Sequence, residues 1–387
     1  MNFSTPLRMT ALAAAAALFV PPAQAVTYAW NNGTYSAALL PLALSAADQL
    51  DIGSGTTKTF NVDVSNAGTV NWGADSLRFS GGSAVTNSGS WFIGGDFDMI
   101  DGGFGGSLSN SGTLRKTAGL GDAAINGGVG FTNLANGVID VLSGSLSFDG
   151  GPLSFEAGTS FTGVGLARVT SSASFSGAFS ATNLQLNVGV FTGTAAKLDS
   201  GVVNWKAGTL AGTWEVGAGT TLTMDGSVSK YHDASLTNNG TVVALDHLRF
   251  KSGKQLTNEG LFDLQSDDGL IDGGFGGAFL NNGILRKSVA GGTSTISGIN
   301  TTHNGEINVQ TGTLAFTTGT HRFEDGTAFT GAGQVTVGNG ATFAGGFTTA
   351  GNLSLNGGVY TGGDGSPESK ATMNGDMTWT AGEWQGG

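Results

Sequence analysis

Cysteine is absent from this 387-residue chain, proline occurs six times, and charged side chains make up only 11%. Each shortage excludes something. Without cysteine no disulfide can brace the fold, which excludes a small disulfide-stapled domain. Lysine and arginine number 16 against 28 acidic residues, a formal net charge of -12. Such a chain lacks the basic stripe that binding to nucleic-acid phosphate requires. Long apolar runs are missing too. The best, Ala11–Val20, is too short to cross a bilayer as a helix. Beyond it, no segment offers a ten-residue amphipathic helix.

That early run has a different reading. One basic residue, Arg8, precedes it, and "PPAQA" follows with small residues at Ala23 and Ala25. A basic start, an apolar stretch and an A-x-A-like end predict an export signal over residues 1–25, cleaved after Ala25.

What is abundant is glycine, 68 residues, and phenylalanine, 23. Disordered chains are poor in aromatic and β-branched residues. Here apolar residues recur in short alternating clusters such as Leu77-Arg78-Phe79, Leu146-Ser147-Phe148 and Leu353-Ser354-Leu355. Period two predicts strands. Glycine and asparagine separate the clusters, where turns need positive φ.

The chain also repeats itself at two scales. Leu77–Lys116 matches Leu248–Lys287 at an offset of 171 without a gap, and "IDGGFGGSLSNSGTLRK" (100–116) returns as "IDGGFGGAFLNNGILRK" (271–287). Two super-repeats are expected, over about 50–221 and 222–387, the second cut short within a copy, as in a truncated polypeptide or incomplete gene. Within each copy, N-x-G turns begin at Asn66, Asn87 and Asn110, then at Asn238, Asn258 and Asn281, with spacings of 21, 23, 20 and 23. A short period of this kind marks a solenoid. Strand alternation makes it all-β: a parallel β-helix, or β-solenoid, of ~20–23-residue coils. About 15 coils at about 4.8 Å each would give a rod of roughly 70 Å. An array of antiparallel sandwiches is the alternative, and it would need two-residue hairpins.

A constant coil length, set by the step from Asn87 to Asn110, predicts a register. It places Leu77 on Ile100, Arg78 on Asp101, Phe79 on Gly102, Asn87 on Asn110 and Trp91 on Leu114. In the second copy it places Leu248 on Ile271, Arg249 on Asp272, Asn258 on Asn281 and Phe262 on Leu285. Cross-coil Arg78–Asp101 and Arg249–Asp272 ion pairs follow, and so does a stacked asparagine ladder at the turns.

For chemistry, the candidates are acidic. Asp96, Asp98 and Asp101 lie in "GDFDMIDGG", and Asp267, Asp268 and Asp272 in "SDDGLIDGG". Grouped oxygens are what calcium prefers. Carboxylates a few ångströms apart on neighbouring coils are what acid–base cleavage of a glycosidic bond needs, with Asp101 or Asp272 as the acid/base. Against this, Asp98 matches Gly269, so the set differs between copies, and no basic cluster accompanies it in sequence. The glycines follow neither a calcium nonapeptide nor a phosphate loop. His232, His247, His303 and His321 have no metal-ligand spacing and read as surface turn residues. Tryptophans at strand positions, such as Trp91, read as packed inward or capping a coil. No cofactor is implied.

The phrases "NSGTLRKTAGLG" with "INGGVGFTNLANGVIDVLSGSLSFDGG", and "NNGILRKSVAGG" with "HNGEINVQTGTLAF", resemble the strand repeats of large bacterial surface proteins. These are the autotransporter-passenger-like and filamentous-haemagglutinin-like adhesins. The resemblance covers nearly all of residues 66–387. It implies an exported, non-enzymatic structural or adhesive β-helix at the cell surface or outside the cell. Its partners would be host or environmental surface glycans or proteins. Two family features are not seen: an N-P-N-G secretion motif, and an outer-membrane translocator, which would then be missing from this chain. The alternative function is a β-helical polysaccharide lyase or hydrolase using surface carboxylates.

Overall fold

Alternation settles into strands along the whole described chain. The computed structural model describes residues 24–38, 40–226, 228–363 and 370–386, so nearly all of the expected leader lies outside the described residues. Forty-four strands and no helix are found among them. All the strand pairings are parallel, as in Thr69–Trp72 on Ser90–Ile93. The chain is a β-solenoid of about 16 turns with about 22 residues per coil, roughly 75 Å long at strand spacing.

Each full coil contributes three strands and hence three faces. Face one holds Thr69–Trp72 and Ser90–Ile93, face two Leu77–Phe79 and Met99–Asp101, face three Ser83–Asn87 and Gly106–Asn110. Alternate residues point inward: Val70 and Trp72, Leu77 and Phe79, Val85 and Asn87 are all buried. Aromatic rings stack along the axis. Phe155 lies 4.9 Å from Phe175 and Phe323 5.0 Å from Phe343, centroid to centroid. Each fully buried Phe contributes on the order of 1.5–3 kcal/mol. Trp72, Trp91, Trp205 and Trp214 are buried as expected, whereas Trp379 is exposed.

Buried asparagines line one inner edge. Asn66, Asn87, Asn110 and Asn133 pass hydrogen bonds from Nδ2 to Oδ1 of the next coil at 2.6, 2.7 and 2.7 Å. Asn133 ends the run by donating to Thr159 Oγ1 at 3.0 Å. Asn238, Asn258 and Asn281 repeat the device at 2.7 Å per step. The predicted ladder is present, and Asn133 extends it.

The predicted register is only partly right. Asn87 does meet Asn110 and Trp91 does meet Leu114, as Asn258 meets Asn281 and Phe262 meets Leu285. Face two is shifted by one. Leu77 meets Met99, Arg78 meets Ile100 and Phe79 meets Asp101, with the same shift at Leu248–Leu270, Arg249–Ile271 and Phe250–Asp272. Met99 and Leu270 take the inward place, and the predicted arginine–aspartate pairs do not form. The cause is uneven coil length. The step to the next coil grows by one from face to face, from Thr69–Ser90 to Leu77–Met99 to Ser83–Gly106. The first two corner loops of the later coil each hold one residue more than the loop beneath, and the third corner is unchanged.

Coil length changes more sharply between the two copies. Long strands Ala173–Leu186 and Val190–Trp205 run through corners, and the coils there shorten. Ala173 pairs with Phe191 and Phe191 with Leu210, both shorter steps than Ser83 to Gly106 on the same face. The shortening moves the sequence out of phase with the faces. Face three runs Leu108, Phe131, Leu153, Ala173, Phe191, Leu210, His232, Phe250. Phe250 is the sequence counterpart of Phe79, which lies on face two. The offset between the copies therefore spans eight coils and one face, and equivalent residues of the two copies sit on different faces.

Candidate functional site

The candidate carboxylates lie in corner loops or, for Asp101 and Asp272, at the strand end that enters one, and the structure gives each a partner. Asp96 Oδ1 accepts from Lys116 Nζ at 2.8 Å, and its other oxygen accepts from the Gly121 amide at 3.0 Å. These contacts hold its carboxyl below the usual range, the lysine first. Asp267 repeats the pairing with Lys287 Nζ at 2.9 Å. The cation that seemed missing in sequence thus arrives from the next coil. Lys116 follows Leu114 at period two, so it points inward and is fully buried. Three carbonyls, of Ala118, Gly119 and Ser143, complete its shell at 2.8, 3.0 and 3.1 Å. Lys58 and Lys230 are buried likewise, against Asp75 at 3.1 Å and Asp246 at 2.9 Å.

The remaining aspartates do other work. Asp98 accepts from the Ala124 amide at 3.0 Å. Burial pushes its carboxyl up, and the nearby Asp122 charge adds to that. Asp268 pairs with His247 Nε2 at 2.8 Å. Asp101 Oδ1 accepts from the Gly103 and Gly105 amides at 2.7 and 3.0 Å, and Asp272 Oδ1 from Gly274 and Gly276 at 2.8 and 2.9 Å. Among the described residues no three His, Asp or Glu converge as a metal ion would need.

What Asp101 and Asp272 hold in place is the Gly-Gly-Phe-Gly-Gly loop. Gly103, Phe104 and Gly105 all adopt positive φ, 113°, 66° and 70°, and Gly274, Phe275 and Gly276 do the same at 109°, 75° and 68°. For glycine this is free; for phenylalanine it costs on the order of 1–2 kcal/mol. Packing does not repay the cost, since Phe104 is 95% exposed and Phe275 92% exposed. Beside Phe275 lies an open depression of about 190 Å³, lined by Gly253, Gly277, Gly298 and Asn300. Gly298 (φ 73°) lets the next coil pass close, for a Cβ there would stand 2.7 Å from Asp272 Cβ. From sequence alone this loop reads only as a turn. The signal it holds is a bulky residue flanked by glycines, all of which need the left-handed region.

Three histidines expected on the surface are instead in the core. His232, His303 and His321 are buried, because each stands at an inward strand position. His303 takes the place of Asn281 one coil on and stacks on Phe323 at 5.4 Å. Among the described residues neither ring nitrogen of His303 has a hydrogen-bond partner, and His321 Nδ1 reaches only Thr301 Oγ1, at 3.0 Å. Burial pulls their pKa values down to about 4, 3 and 4 respectively. His247 alone stays partly exposed.

The geometry is that of a solenoid whose acidic residues brace its corners, two of them pinning exposed aromatic loops. No family model, no curated protein and no solved structure matches this chain. What it does must be read from its own residues.

Proposed function

We propose that this chain is an exported, non-enzymatic structural or adhesive rod of a bacterial cell surface. One observation carries the reading. Among the six candidate aspartates, five are held by a lysine, a histidine or two loop amides, and such bracing suits a scaffold. The β-solenoid form supports it as well, since parallel coils present a long, regular surface built from short repeats. No described helix is long and apolar enough to cross a membrane. Display would then depend on the leader read at residues 1–25.

The test is display on cells. The chain is expressed with its own residues 1–25 and probed on intact bacteria with an antibody and a membrane-impermeant protease. Labelling and cleavage at the surface are expected. Retention inside the cell, with residues 1–25 uncleaved, would refute the reading.

A β-helical polysaccharide lyase or hydrolase is the second reading, with one observation in its favour. Asp98 has the raised carboxyl and the neighbouring carboxylate, Asp122, that acid–base chemistry uses. Polysaccharide cleavage by purified chain that Asp98→Asn abolishes would establish it.

A further inference from the structure

We infer that the Phe275 loop is a carbohydrate-binding site that takes one pyranose ring of a neutral polysaccharide. The argument begins with an expense that folding does not explain. Phe275 holds a left-handed backbone between two left-handed glycines, and its ring touches almost nothing. A third glycine would relieve the strain at no loss of packing. The same arrangement occurs at Phe104, at another corner of the solenoid. Strain kept without packing benefit points to use of the side chain.

The surroundings choose the ligand. A phenyl face is negative, so it attracts polarised C–H groups, and its area matches one sugar ring. The depression beside it has a glycine floor, which lets a flat ring lie close. At its edge is Asn300. Its Oδ1 accepts from the Thr320 amide at 3.4 Å, and its Nδ2 donates to nothing among the described residues. An amide beside an aromatic wall is suited to a hydroxyl-bearing ring. A protein or membrane partner would need a broad apolar patch, and here the Phe ring stands among glycines. An anionic polysaccharide is disfavoured by the net charge of -12 and the absence of any lysine or arginine in the lining.

Asp272 is the positioning residue: its carboxylate pins the loop through two amides. Phe104 has the same pin but lacks the amide, because the strand register puts Gly130 where Asn300 stands. The Phe275 site is therefore the stronger of the two. This inference extends the adhesive reading by naming a ligand. It is read on purified chain, whereas display is read on cells, so either can fail alone.

Purified full chain is titrated by calorimetry with cellohexaose, mannohexaose, maltohexaose and laminarihexaose. Hexagalacturonate and phosphatidylcholine vesicles serve as the anionic and apolar comparisons. At least one neutral hexasaccharide should bind. Phe275→Gly should weaken it at least tenfold with Tm unchanged or raised, and Asn300→Ala should weaken it several-fold. Asp272→Ala should weaken binding while Asp272→Asn, which keeps an acceptor oxygen, retains it. Phe104→Gly should change affinity less than twofold. The inference is overturned if none of the four neutral sugars binds, if Phe275→Gly binds as well as the parent, or if only hexagalacturonate or the vesicles bind.

Discussion

Lowering the pH from 8 to 5 should open the solenoid locally at its buried histidines. A histidine near pKa 6.5 when unfolded, and near 3–4 when folded, is protonated far more readily in the open chain. The stability from keeping it neutral is present above pH 6.5. It declines as pH falls below 6.5 and is fully lost only below the folded values of about 3–4. At pH 5 each histidine has cost about 2 kcal/mol, since protonation is favoured about 30-fold in the unfolded form and hardly occurs in the folded one. His303 and His321 lie in adjacent coils, with Thr301 paired to His321. A solenoid opens coil by coil, so these two act together, for about 4 kcal/mol. Hydrogen exchange in peptides covering residues 293–323, corrected for intrinsic rates, should speed up by about three orders of magnitude between pH 8 and pH 5. Peptides covering 77–116, with no histidine, should change little. The doubly substituted His303→Phe, His321→Phe chain keeps the aromatic stack and should lose the pH response. Equal acceleration in that variant, or none in the parent, would refute the reasoning.

Other perturbations test the rest of the architecture. Asn110→Ala removes a ladder rung and strands buried groups of Asn87 and Asn133; urea denaturation should show a loss of about 2–3 kcal/mol. Lys116→Ala leaves three carbonyls and a cavity without the ammonium, and should cost about 3 kcal/mol by the same measurement. Lys116→Met fills the space and should cost less. Asp101→Asn with Asp272→Asn should leave adhesion of displayed chain intact, measured as cell binding to a coated surface, because the loop amides keep an acceptor.

Much of this fold was legible because its rules are local. Leu77-Arg78-Phe79 alternates, Asn66 and Asn87 begin like turns, and both facts survive in the structure. Features that depend on two coils at once are harder to read. A constant period assigns Asp101 to Arg78, yet the corner loops absorb extra residues unequally, and that decides whether Met99 or Ile100 faces inward. Lys116 and His303 are readable in principle. Period two counted from Leu114 puts Lys116 inside, and "HNG" occupies the place of "NNG" one coil earlier. Both escape notice because a charged or titratable side chain is assumed to seek water. The partner that makes the burial of Lys116 tolerable, Asp96, lies most of a coil back along the chain and meets it only when the coil closes.

The phase slip between the copies has a consequence for how such a rod can be lengthened. Each unit of the large repeat advances the chain by eight coils and one face. Inserting one unit would therefore turn everything beyond it to the neighbouring side, like a screw advanced by a third of a revolution. Three units bring a motif back to its starting side. A rod built this way scatters its Phe loops around the circumference instead of lining them along one edge. Whatever approaches it meets one from any direction.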